Sequence, residues 1–128
     1  MTTKRVLCSE RVRQIPTQFS WLDHRLVRER YLQRCDPPAA ALYLFLVTVA
    51  DAEGLSYYAD GTLVRGLSLA PLRLAQARDD LLRLGLIAWQ RPLYQVLSLD
   101  VPGAERGLSA EELRVRIARC HLAMGRAP

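Results

Sequence analysis

Apolar residues change their spacing several times along the chain, and each change marks an element. Between Pro71 and Leu84 the residues Leu74, Ala77, Leu81 and Leu84 recur three and four apart, which places them on one face of a helix. Pro71 suits the first turn, where its missing N–H costs nothing. Gly85 suits the left-handed residue that closes the last turn. Leu86 to Trp89 then reads as a strand, Gln90, Arg91 and Pro92 as a turn, and Leu93 to Leu99 as a returning strand rich in residues that fit a pleated surface.

Upstream, Asp36 followed by Pro37 and Pro38 is a helix start, with Asp as the cap and Pro in the first turn. The helix is expected to run to Gly54. It is apolar on nearly every side, and such a helix must be covered on every side. The N-terminal segment, a C-terminal helix or a second subunit is expected to supply the cover. Residues 55–58 suit a short strand, and Asp60 to Leu67 a short helix weakened by Gly61 and Gly66. Residues 25–34 suit another short helix, with Leu26, Tyr31 and either Val27 or Leu32 inward. Residues 1–18 have no sustained period and read as an arm, with Phe19, Trp21 and Leu22 expected to pack on the domain. The main domain is then 19–99.

Beyond it, 100–107 is a polar linker whose Pro and Gly stop a strand. Residues 108–128 hold a C-terminal helix: Ser109 and Glu112 fit a capping box, and Leu113, Ile117, Cys120 and Met124 form one stripe. Packing this stripe on the long apolar helix would bury both, within one chain or between two chains.

A short helix carrying Leu63, Val64 and Leu67, a turn at Ser68 and Leu69, a helix carrying Leu74, Ala77 and Leu81, and then Gly85, Leu86 and Ile87 resemble the winged helix-turn-helix domain of bacterial DNA-binding proteins. The resemblance covers about residues 37 to 99. It implies a mainly α fold with a small antiparallel β wing, to which this chain adds a C-terminal helix. It also implies that 71–84 is the recognition helix, and a homodimer, because two recognition helices read two half-sites about one axis. The sequence departs from the pattern twice. Ala70 stands where a capping Ser or Thr is usual, so Ser68 is the expected cap, and Arg78 occupies a slot that is usually apolar.

Composition changes this picture little. Of the 128 residues, 50% are hydrophobic and 24% charged, as in ordinary globular domains. The longest apolar run, Ala39 to Ala50, is too short to span a bilayer, which takes about 20 residues. With no signal-peptide pattern near Lys4 and Arg5, a cytoplasmic protein without membrane partners is expected. Cys8, Cys35 and Cys120 have neither zinc-site nor disulfide spacing, so no metal and no cofactor is expected.

Charge placement is more informative. Residues 1–34 hold eight Lys and Arg against three acids, which accounts for the whole net charge of +5. The basic side of 25–34 reads either as a solvated face or as a phosphate-contacting one.

No catalytic constellation stands out, and a non-enzymatic role is expected. His24 and His121 lie in no nucleophile motif. Asp79 and Asp80 are adjacent on a helix and point apart, and Asp79 stands four residues before Arg83, the favourable order for an ion pair. The expected function is non-catalytic binding of duplex DNA, in transcription regulation, replication initiation or service to a mobile element. Base contacts are expected from Leu72, Arg73 and Gln76, and phosphate contacts from Lys4, Arg5, Arg11, Arg13, Arg28, Arg65, Arg83 and Arg91. The alternative is a winged-helix module that binds protein, since residues 60–99 carry little net charge and phosphate neutralisation dominates DNA affinity.

Overall fold

The computed structural model describes residues 3–100, so the linker from 101 onward and the C-terminal helix expected at 108–128 lie outside the described residues. The described residues form four α-helices and one three-stranded antiparallel sheet: α1 (Arg25–Arg28), α2 (Pro37–Val49), β1 (Leu55–Tyr57), α3 (Asp60–Leu67), α4 (Pro71–Arg83), β2 (Ile87–Gln90) and β3 (Leu93–Val96). Single 3₁₀ turns lie at Ser9–Arg11 and Leu32–Arg34.

Helix α2 starts as its sequence dictates. Asp36 is the N-cap, and its Oδ1 accepts from the Ala39 amide at 3.1 Å. The helix stops at Val49, short of Gly54. Asp51 ends it by accepting the amides of Glu53 and Leu55 at 2.9 Å each, which turns the chain toward β1. Gly54 sits in this turn at φ +86°, and its carbonyl accepts the Val96 amide at 2.8 Å. A Cβ there would lie 2.6 Å from the Val96 carbonyl oxygen. This one residue therefore both turns the chain and lets β3 approach.

β3 is the central strand, with β1 on one side (Ser56 opposite Tyr94) and β2 on the other (Trp89 opposite Tyr94). The β2–β3 connection is only Arg91 and Pro92. Gly85, at φ +73°, closes α4, as the sequence predicts. The core lies where α2, α4 and the sheet meet: Leu42, Leu46, Leu63, Leu74, Leu81, Leu86, Ile87 and Tyr94 are fully buried.

Three expectations fail here for physical reasons. The fold itself covers most of α2: Leu42, Tyr43 and Leu46 are buried, and Phe45 packs edge-on against Tyr58, with ring centroids 5.1 Å apart. Only Leu44 among its large side chains stays exposed, so this helix offers a second subunit little more than one residue. The stretch 25–34 is not one helix. It breaks at Arg30, which takes a left-handed φ of +64°, and it leaves Val27 and Leu32 exposed, with only Leu26 buried. Phe19, Trp21 and Leu22 do not pack on the domain; all three are exposed.

Two glycines give a paired test. Gly54→Ala puts a methyl group into backbone at a φ that L-residues avoid, and should cost about 2–4 kcal/mol in urea unfolding. Gly66→Ala, inside α3 with its new methyl at an ordinary 3.5 Å from Phe45, should instead stabilise by about 0.5–1 kcal/mol.

Candidate nucleic-acid interface

Helix α4 carries the exposed face on which the sequence concentrates its candidate contacts. Its buried stripe is Leu74, Ala77, Arg78 and Leu81, spaced as one helix face requires. Leu84, expected in that stripe, follows the helix as its C-cap and is half-buried. The opposite side is left to Leu72, Arg73, Gln76, Asp79 and Arg83, all exposed, with Leu72 at 70%.

The helix is reached through a tight turn. Ser68 closes α3 in the left-handed conformation (φ +53°), and the amide of Leu69 returns to the Val64 carbonyl at 3.2 Å. Ser68 is therefore a C-cap of α3 and, against the sequence expectation, does not cap α4. The N-cap of α4 is Ala70, which makes no side-chain bond. Pro71 offsets part of that loss by having no N–H to satisfy.

Arg78, the residue that breaks the apolar pattern, fixes the helix in place. Its side chain is 6% exposed. One guanidinium nitrogen donates to Asp60 Oδ1 and to the Tyr94 hydroxyl, each at 2.9 Å. Its Cζ stands 3.9 Å from the centre of the Trp89 ring. One side chain thus joins α4 to the first residue of α3 and to both strands of the hairpin. Burial works against its charge, but the bonds to Asp60 and Tyr94 outweigh it and hold its pKa above the ordinary arginine value. Burial likewise pushes the Tyr94 phenol up, against the pull of Arg78. Sequence reasoning gave Arg78 no role. The available signal was an arginine on a helix stripe otherwise apolar, which implies a carboxylate and an aromatic waiting across the core.

The candidate phosphate contacts fall into three groups. Arg65 on α3 and Arg28 at the end of α1 are exposed. Arg83 and Arg91 are exposed but engaged. Arg83 pairs with Asp80 rather than with Asp79, one turn being closed by the i,i+3 partner. Arg91, at the hairpin tip, lies 3.7 Å from Asp60 and 5.2 Å from the Trp89 ring centre. Lys4, Arg5, Arg11 and Arg13 are exposed along the segment before α1, and among the described residues no hydrogen bond or ion pair joins them to α4. Arg73 and Gln76 likewise make no side-chain bond among the described residues.

Gln76, Asp79, Asp80, Leu82 and Arg83 line an open depression. No group of three metal-ligating side chains occurs among the described residues, and none of their helices is long and apolar enough to cross a membrane. No family model, curated protein or solved structure matches the chain.

The Arg78 arrangement makes two expected outcomes. Arg78→Ala strands a carboxylate and a phenol and should cost about 3–5 kcal/mol, whereas Arg78→Met, which keeps the volume, should cost distinctly less; chemical denaturation of both measures this. In alkali, the unfolded chain loses its tyrosine protons first, near pH 10, while buried Tyr94 and Tyr43 hold theirs. Stability should therefore be intact below about pH 10 and fall above it. Tyr94→Phe should flatten that fall in part.

Proposed function

We propose that the chain is a winged helix-turn-helix protein that binds duplex DNA and catalyses no reaction. What carries this reading is the first half of α4. Leu72, Arg73 and Gln76 face outward together, without partners among the described residues, on a helix whose opposite side is held by Arg78. Two helices joined by the short turn 68–70, followed by a hairpin, are the arrangement that lays such a helix in the major groove.

The donor geometry then assigns roles. Arg73 pairs with guanine O6 and N7, Gln76 with adenine N6 and N7, and Leu72 meets a thymine methyl group. Arg65 and the hairpin residue Arg91 flank the helix as phosphate contacts. Arg83 reaches a phosphate only by leaving Asp80. Lys4, Arg5, Arg11, Arg13 and Arg28 add attraction through counterion release, which carries no sequence preference. One α4 covers one half-site, so the reading includes a homodimer on half-sites about one helical turn apart, acting in the cytoplasm.

One observation favours a second reading. Arg83 and Arg91 both stand beside carboxylates, and exposed Leu72 has acidic Asp79 two turns along the same helix. Such a face suits a protein partner.

Fluorescence anisotropy across a salt series separates the readings. Arg73→Ala and Gln76→Ala should leave the fold intact and each cost about 1–3 kcal/mol on a preferred duplex, with little effect on random DNA. Removing residues 1–18 should lower the log–log salt slope by roughly 3–4 units, at about 0.9 for each phosphate no longer neutralised. No binding to any duplex at low salt would pass the face to a protein partner.

A further inference from the structure

The described residues leave one apolar surface uncovered beside α2. Phe19, Trp21 and Leu22 are 62%, 75% and 51% exposed, three large side chains within four residues. They are not remote from the body. Ser20, between them, donates its Oγ to the Thr48 carbonyl at 3.1 Å. Thr48 in turn donates to the Leu44 carbonyl at 2.7 Å, and Leu44, one turn earlier on α2, is itself 54% exposed. The segment 19–22 and the Leu44 edge of α2 thus form one seat, made of aromatic and aliphatic side chains.

The last described residue, Asp100, is held by Arg25, just past this segment in the chain. Arg25 donates to Asp23 at 2.7 Å and to Asp100 at 2.6 Å, so residue 100 is tied to Arg25, four residues after Trp21. Twenty-eight residues follow Asp100, and the helix-spaced stripe Leu113, Ile117, Cys120 and Met124 lies among them. Eight linker residues span at most about 26–29 Å, enough to lay that stripe anywhere on the seat.

We propose that residues 108–124 of the same chain dock on this seat, their apolar stripe covering Phe19, Trp21, Leu22 and Leu44. Two quantities favour this occupant over a second copy. With about 150–250 Å² for a whole aromatic side chain, the seat offers on the order of 400 Å² of apolar surface. That suits one amphipathic helix and is about half of the ~800 Å² that each side of a stable dimer buries. A tether this short also holds the segment at an effective concentration of order millimolar. The docked segment closes the monomer and leaves the pairing of copies to the DNA. Docking is independent of whether α4 binds DNA.

Trp21 reports the docking. The difference in emission between the full chain and its Trp21→Phe variant isolates Trp21. Docking predicts blue-shifted emission and several-fold protection from acrylamide, unchanged from submicromolar to tens of micromolar protein. Ile117→Asp should abolish the protection, and so should Ile117→Gln, which keeps a good helix former and removes only the packing. Trp21 as quenchable as free tryptophan in the full chain, or protection unmoved by both substitutions, would overturn the proposal. Protection that grows with concentration, alongside a doubling of mass in light scattering, would overturn it in favour of a second copy.

Discussion

A guanidinium removed from water keeps its charge and its N–H donors, and both need partners. Arg78 meets that need with groups from three other elements: the Asp60 carboxylate at the start of α3, the Tyr94 hydroxyl on β3 and the Trp89 ring on β2. The rest of the structure depends on these contacts, because α4 otherwise rests on aliphatic side chains that tolerate sliding and small rotations. Directional bonds do not. They set the angle between α4 and the hairpin, and with it which side of the helix faces out. Asp60 also stands near Arg91, so the same carboxylate that receives Arg78 helps hold the hairpin tip.

Much of this architecture was legible in the residues. Asp36 with two prolines, the spacing of Leu74, Ala77 and Leu81, and Gly85 each act through local backbone physics, and each element appears where that physics puts it. Elements decided by tertiary contacts were not legible. The 25–34 stretch has helical spacing, yet Arg30 turns left-handed, and no local signal marks the break. Ser68 has a side chain fit for capping, but the turn uses its backbone instead. The outward positions Leu72, Arg73 and Gln76 on the first half of α4 were readable from the apolar stripe alone. The inward tie of Arg78 was not, because its hydrogen-bond partners Asp60 and Tyr94 lie 18 and 16 residues away in the sequence.

The excess positive charge and the exposed face of α4 lie in different parts of the chain. Positive charge gathers before α2, while the exposed half of α4 carries few cations, and two near it are shared with carboxylates. In the proposed function, long-range attraction comes from the N-terminal quarter, and discrimination from a nearly neutral helix face. The same N-terminal quarter carries the uncovered Phe19, Trp21 and Leu22.

The central claim is that α4, held rigidly by Arg78, presents Leu72, Arg73 and Gln76 to duplex DNA. The most direct measurement is a titration of the isotopically labelled full chain with a random-sequence duplex, followed by amide chemical shifts. The account predicts that shifts concentrate at residues 71–77, at Arg65 and at the Arg91 turn, while α2 and β1 stay unchanged. Shifts spread over α2 and β1, or confined to the N-terminal arm with α4 silent, would contradict it.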